Sequence, residues 1–349
     1  MAAEDAGRPA LLDMTPGEIA EAIAPLGQPA YRAAQVYSWL CRGVGFTGMT
    51  NLPLALRETL ETSFRTGLAV IAERRDSRRD DTRKYLFALD DGERVEGVRM
   101  TYRHGHTLCI STQVGCRMGC AFCASTLGGR VRDLTAGEML AQIIAANGDL
   151  GGQRIGNVVM MGSGEPLDNY AASIAFLRRV RLPEGLGIGL RSVSLSTCGL
   201  VPEMRALATE GLPVTLSVSL HAPDDETRRR IMPIARRYAI GEVVDAARHY
   251  VERTGRRVIF EYALIRDVND RPEQASRLAG LLRGMQCHVN LITLSGVPET
   301  GLLAARRERA AEFERELVRR GVSVTRRRQM GSDIEGACGQ LRRRSGGKE

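Results

Sequence analysis

Thr107-Leu-Cys109-Ile-Ser-Thr-Gln-Val-Gly-Cys116-Arg-Met-Gly-Cys120-Ala-Phe-Cys123 decides the fold of this 349-residue chain. Its first six residues form a short β-rich, largely apolar run, the composition of a buried strand, and a Gly- and Cys-rich loop follows directly. Downstream, the same strand-then-helix order recurs. Apolar β-rich runs occur at 157–161, 191–196, 214–220, 257–265 and 288–294. Amphipathic stretches at 135–147, 170–180, 240–254, 272–285 and 303–320 separate or follow them, the first opening with a Thr135-x-x-Glu138 capping box. Six such units predict an α/β fold on a parallel sheet, and six rather than eight predict an open or partial barrel. Its chemistry is then expected at the carboxyl ends of the strands.

Working outward, residues 1–84 lack a strand-like run and carry helical patches at 32–41 and 54–64, so they read as a small helical accessory domain ending in the polar stretch 73–83. Residues 85–106 read as a β-hairpin extension, with 85–89 and 94–102 alternating around Asp90-Asp91-Gly92. The partial barrel is expected over 107–325, and a C-terminal segment over 326–349. On the second hairpin strand Glu96 shares a face with Val98, Met100 and Tyr102, because strand side chains alternate. A carboxylate on an apolar face is desolvated, which suits a proton acceptor working near neutrality. In the reversed register Glu96 would simply face water.

At 43% hydrophobic and 26% charged, the composition excludes a disordered, collagen-like or coiled-coil chain as a global reading. No apolar run approaches the roughly 18 to 20 residues needed to cross a bilayer, and Met1-Ala-Ala-Glu-Asp lacks the pattern of a signal peptide. A cytoplasmic location without membrane partners is expected. Of the net charge of +8, thirteen basic against seven acidic residues between Arg306 and Glu349 supply most. Arg326-Arg327-Arg328 and Arg342-Arg343-Arg344 are candidate phosphate contacts, since counterion release from a polyanion rewards clustered arginine. A second cluster, Arg74, Arg75, Arg78, Arg79, Arg83 and Lys84, is interrupted by Asp76, Asp80 and Asp81. Either set would also suit a solvated surface.

Eight cysteines in a long chain that can build a core without staples point to metal ligation or redox catalysis rather than a disulfide scaffold. Cys116, Cys120 and Cys123 follow a C-x3-C-x2-C spacing, which supplies three thiolates to a [4Fe–4S] cluster that usually takes four. The missing ligand leaves one iron open to a small molecule. A zinc site would want a fourth protein ligand, and His104 and His106 precede the strand, at its other end.

This motif after the first strand of an α/β repeat, with Phe122 before the last cysteine, resembles the radical S-adenosylmethionine (SAM) superfamily. So does Gly162-Ser-Gly164-Glu165-Pro166 one βα unit later, which matches the segment those enzymes place on the SAM amino group. From about Tyr31 to Leu341 the chain is similar to the adenine-C2 methyltransferases of 23S rRNA and tRNA, the RlmN/Cfr family. Met49-Thr-Asn-Leu-Pro53, Leu195-Ser-Thr-Cys-Gly199, Val218-Ser-Leu-His-Ala222 and above all Asp333-Ile-Glu-Gly-Ala-Cys338-Gly-Gln-Leu341 carry that likeness.

Carbon 2 of adenine is electron-poor and cannot attack a methyl sulfonium, so polar transfer fails there. The resemblance implies instead two SAM molecules per turnover. One methylates Cys338, whose thiolate is a competent nucleophile. The other is cleaved reductively, and the resulting radical removes hydrogen from the S-methyl group so that its carbon adds to the ring. By the same likeness Cys109 takes the ring proton and closes a transient disulfide with Cys338, and Glu96 is a proton acceptor. Gly336 and Gly339 flank Cys338 and would let its backbone shift between the two tasks. Gly164, Glu165, Ser196, Ser219, Leu220, His221 and Ser295 match the family's cofactor positions. Ser295 departs from the pattern: it ends Asn290-Leu-Ile-Thr-Leu-Ser295 where the family usually shows asparagine, and a hydroxyl has one donor where an amide has two. Cys41, Cys198 and Cys287 are left as small core residues. The resemblance further implies 23S rRNA and tRNA as partners, an external electron donor such as flavodoxin or ferredoxin, and a monomer.

Three other readings stay open at this point. Methylation at carbon 8 of the same rRNA base, the resistance-type activity of the family, would use every residue named. A non-catalytic RNA-binding iron–sulfur protein would have no need of Cys109 and Cys338. A zinc or electron-transfer protein without methylation would bind metal differently.

Overall fold

The computed structural model describes residues 7–342; Arg343, Arg344 and Lys348 of the basic tail lie outside the described residues. Helices α1 (Pro16–Ile23), α2 (Tyr31–Leu40) and α3 (Leu54–Ser63) come first, then strands β1 (Val70–Asp76), β2 (Thr82–Ala88), β3 (Arg94–Tyr102) and β4 (Gly105–Cys109). A short ribbon of β5 (Gln113–Gly115) and β6 (Arg130–Asp133) precedes α4 (Ala136–Gly148) and β7 (Ile155–Met160). The alternation continues through α5 (Tyr170–Val180), β8 (Val193–Thr197), α6 (Val201–Leu207), β9 (Thr215–Ser219), α7 (Asp225–Ile231) and α8 (Ile240–Thr254). It closes with β10 (Val258–Leu264), α9 (Pro272–Leu281), β11 (Cys287–Thr293), α10 (Arg307–Arg319) and β12 (Val324–Arg326).

Ten of these strands form one open sheet in the order β1-β2-β3-β4-β7-β8-β9-β10-β11-β12. From β4 onward every pairing is parallel, which gives the six expected units and a short seventh strand, β12. Parallel strands covered on both faces read as near-continuous apolar runs, and β10, Val-Ile-Phe-Glu-Tyr-Ala-Leu, is buried along almost its whole length. The capping box at the start of α4 is present: the Thr135 hydroxyl accepts from the Glu138 N–H at 3.1 Å, and the Glu138 carboxylate accepts from the Thr135 N–H at 2.9 Å.

Three expectations need correction. Residues 1–84, read as free of strands, contain β1, an edge strand whose Glu73-Arg74-Arg75-Asp76 lacks apolar alternation because one edge faces water. The first barrel strand ends at Cys109 rather than Thr112, and the chain turns instead into the ribbon that closes the cysteine loop at its base. There Gly115 has φ +76° and its Cα lies against the Gly129 carbonyl, leaving no room for a side chain. Finally, the helical N-terminal part and the barrel share one core, in which Leu11, Leu12 and Tyr37 pack with Met139, Leu140 and Leu177. Arg179 of α5 donates to the carbonyls of Leu12 and Asp13 across that junction.

Candidate active site

At the carboxyl ends of β7 to β11 the sheet opens onto a cleft. The loop between β5 and β6 brings Cys116, Cys120 and Cys123 to it. Gly164 and Glu165 arrive after β7, Ser196 from β8, Ser219 and His221 from the end of β9, and Ser295 after β11. Cys338, more than 200 residues from the other three cysteines, completes the wall. Leu220 is the exception among the expected cofactor positions. Its side chain is fully buried in the core, because one step along an extended chain reverses the face, and its N–H and carbonyl are bonded to the Glu261 carbonyl and to Arg228.

The cysteine loop is held from outside. The Ala121 N–H donates to the Ile231 carbonyl at 2.9 Å, and Gly119, at φ +71°, lies against the Pro233 ring. Burial pushes the Cys116 thiol up to about 12 and moves Cys120 and Cys123 in the same direction, so all three hold their protons until a cation displaces them. Among the described residues no three His, Cys, Asp or Glu side chains converge on a single ion. A four-iron cluster asks for a different arrangement, one thiolate on each of three iron corners, and three thiols spaced along one cleft wall fit it. His106 is engaged elsewhere, its Nδ1 3.0 Å from the Thr101 hydroxyl at the opposite end of β4.

Around the cleft the polar groups are fixed by the backbone. Gly164 has φ +106°, and a Cβ there would meet Gln113 at 2.7 Å. The buried Glu165 carboxylate accepts N–H bonds from Leu167 at 3.0 Å and Cys198 at 2.7 Å; burial nevertheless raises its pKa. His221, at φ 54°, accepts the Ala263 N–H on Nδ1 at 2.9 Å, so the ring proton is on Nε2. Its ring stands edge-on to Phe122 at 4.8 Å, and burial lowers its pKa to about 3. Ser295 accepts from the Gln329 side-chain amide at 3.1 Å.

A second, smaller cavity adjoins the first. Cys109 lines it with Val98, Met100 and Tyr102. The two cavities share Met161, Ile292, Ser295, Arg327 and Cys338. Burial pushes the Cys109 thiol up to about 12, and Cys338 adds to the shift. Glu96 is buried, so the water-facing register is not adopted, but its carboxylate reaches neither cavity. Lys84 Nζ holds it at 2.9 Å and the Arg342 N–H donates to it at 2.8 Å, placing the C-terminal backbone between it and Cys109's cavity. The sequence alone leaves this carboxylate isolated on an apolar face; Lys84, on the neighbouring strand, reads there as one of the surface basics.

Other lining residues are not singled out by the sequence. Glu261, in the middle of β10, is buried in the cleft, accepts from Asn290 at 3.0 Å and lies 3.6 Å from Arg327. The signal that marks Glu96, an acid within an apolar strand, is present there too. Arg327 turns into the cleft while its neighbours Arg326 and Arg328 are exposed, so the arginine triplet is not one phosphate-facing unit. Cys198, expected as a core residue, lies on the cleft wall. Arg228 of α7 is fully buried behind it.

With this geometry in hand, the comparisons with known proteins are specific. The Radical SAM superfamily profile matches residues 110–279, and the Ribosomal RNA large subunit methyltransferase N-terminal domain matches residues 10–65. A Clostridium acetobutylicum protein named a probable dual-specificity RNA methyltransferase RlmN is 49% identical over 95% of this chain and 96% of its own. One of the same name from Alkaliphilus oremlandii is 50% identical over 96% of this chain and 97% of its own. The crystal structure of a radical SAM methyltransferase from Sphaerobacter thermophilus superimposes with a TM-score of 0.92 at 44% identity, covering 95% of this chain and 99% of that one.

Proposed function

Since the chain belongs to the RlmN family of radical SAM RNA methyltransferases, we propose that it methylates carbon 2 of adenosine in the peptidyl-transferase region of 23S rRNA and beside the tRNA anticodon. The enzyme uses a [4Fe–4S] cluster and SAM. Cys116, Cys120 and Cys123 would hold the cluster, which when bound supplies the electron that opens SAM. Gly164, Glu165, Ser196, Ser219, His221 and Ser295 would hold SAM, with His221 offering an Nε2–H donor because its Nδ1 is already occupied. An external low-potential donor such as flavodoxin or ferredoxin would provide the electron. The chain would act as a cytoplasmic monomer; among the described residues no helix is long and apolar enough to cross a membrane.

The observation that carries this reading is the position of Cys338 on the wall common to both cavities. From there one thiol faces the cluster cysteines on one side and Cys109 on the other. Cys338 would take the methyl group in the first cavity and present it to the base in the second. Cys109, protonated at rest, becomes a strong proton acceptor once it has lost its own proton. Once the unpaired electron of the adduct has passed back to the cluster that released it and Cys109 has given up the ring proton, its thiolate attacks the Cys338 sulfur. The S–S bond forms as the bond between the Cys338 sulfur and the bridging methylene breaks, and the methylene, still bonded to the adenine carbon, takes a proton to become the methyl group. Glu96 would receive a proton only after the Leu341–Arg342 backbone moves aside.

Digestion of RNA exposed to the reconstituted enzyme, followed by mass analysis, should yield 2-methyladenosine from both rRNA and tRNA. An 8-methyl product alone would replace this assignment with the resistance-type activity.

A further inference from the structure

We propose that Arg228 sets the reduction potential of the iron–sulfur cluster, supplying a buried positive charge that the reduced cluster and its thiolates balance. The inference rests on Cys116, Cys120 and Cys123 being the cluster ligands. Arg228 heads the largest fully buried side chains, at 0% exposure. Its Nη2 donates to the Cys198 carbonyl at 2.6 Å and its Nε to the Leu220 carbonyl at 3.3 Å, whereas Nη1 is buried without a hydrogen-bond partner. Among the described residues it makes no ion pair with any carboxylate. A guanidinium cannot shed its proton to escape such a site, so its charge must be met by another group.

The neighbours identify that group. Helix α7, which carries Arg228, is bonded to the cysteine loop through Ile231 and Ala121, and the segment just after it presses Pro233 on Gly119. Cys198, whose carbonyl Arg228 holds, packs in the same apolar cluster as Cys120 and Phe122. The arginine's positive charge acts on Cys120, Cys198 and His221, favouring thiolates and disfavouring a second cation. His221 is neutral, so no other buried imidazolium duplicates the charge. Two carbonyl bonds would be served equally by an uncharged donor, and Asp225, one turn back on the same helix, acts on the charge only from beyond ion-pair distance.

On reduction the cluster takes one electron from a low-potential reductant and gains one negative charge. A fixed cation nearby favours that more negative state and raises the potential, and exclusion of water strengthens the effect. Polar groups outside the ligand shell tune metal centres in this way.

The test uses the reconstituted full chain. Wild type, Arg228→Met, Arg228→Gln and Arg228→Lys are titrated with dithionite, and the reduced cluster is followed by electron paramagnetic resonance. Iron content, absorbance and the circular dichroism of each apo-protein are recorded alongside. Both neutral variants should fold and bind iron yet reduce at more negative potential, by at least a tenfold change in the one-electron equilibrium, about 59 mV. The lysine variant should stay near wild type. Neutral variants that fold but lose the cluster, with the lysine variant keeping it, also support a requirement for charge. Unchanged midpoints in the neutral variants overturn the proposal. So does failure of those apo-proteins to fold when the lysine variant folds, which would assign Arg228 to holding two carbonyls. Wild type that takes up no iron would instead refute the ligand assignment.

Discussion

Cys338 and Cys109 differ in environment as the proposed division of chemistry between them requires. Cys338 is exposed and touches both cavities, and Cys109 is buried in one. Cys338→Ala should therefore reduce methyl uptake from labelled SAM to background, and a variant that still methylates RNA would remove the residue from the acceptor role. Cys109→Ala should still accept the methyl group but stall with the base attached, visible as a protein–RNA adduct on denaturing gels. His221 provides a pH signature. Its folded pKa of about 3 lies below the ordinary 6.5, so between those values the folded state binds fewer protons than the unfolded one. Stability from this residue is complete above pH 6.5 and is lost as pH falls through that window. Its imidazole resonances in the apo-protein should stay those of the neutral ring down to about pH 4; titration near 6.5 would mean that the ring is not buried. At this scale much is legible in the sequence, because spacing reveals chemistry: the cysteine triplet and the acid at 96 stand out by position alone. Arg228 is not legible, since nothing in Arg228-Arg229-Arg230 marks its first member and only packing separates it from the other two, which are exposed.

Elements place these groups. The turn after β7 passes so close to Gln113 that Gly164→Ala should strain the backbone by about 1–3 kcal/mol and weaken SAM binding more than it lowers Tm. Isothermal titration of SAM beside a melting curve separates the two effects, and undiminished SAM affinity would show that the turn can give way. At α4, Thr135→Ala removes one side of the capping box and should cost about 1 kcal/mol in chemical denaturation without altering catalysis. The six parallel strands are legible because both their faces are buried. β1 and β12 are hidden by their place at the two edges of the sheet, where polar residues are tolerated, and α6 and α7, seven residues each, are too short for a helical period to emerge.

For the whole molecule, charge is less free than a count of arginines implies. Arg74 and Arg83 are paired with Asp149, Lys84 with Glu96 and Arg326 with Glu314 at 3.7 Å, and Arg327 is turned inward; Arg78, Arg79, Arg326 and Arg328 are exposed, the last at the rim of the second cavity. If that surface meets phosphate, RNA affinity should fall steeply with salt. Arg326→Ala with Arg328→Ala should lower the slope of log affinity against log salt by roughly one unit for each phosphate no longer neutralised. An unchanged slope would return these side chains to ordinary solvation.

The segment bearing Cys338 is fastened to a part of the chain made long before it. Ser77 and the Arg78 N–H bind Asp333 at 2.7 and 2.9 Å, the Gly331 N–H donates to Asp80 at 3.1 Å, and Lys84 donates to the Glu335 carbonyl at 2.9 Å. During synthesis, then, the cysteine loop is made more than 200 residues before Cys338, the proposed methyl acceptor. Under the proposed role of Cys338, a nascent chain without this segment would have nowhere to deposit a methyl group, and the site would be assembled only when the segment finds the β1–β2 turn some 250 residues upstream.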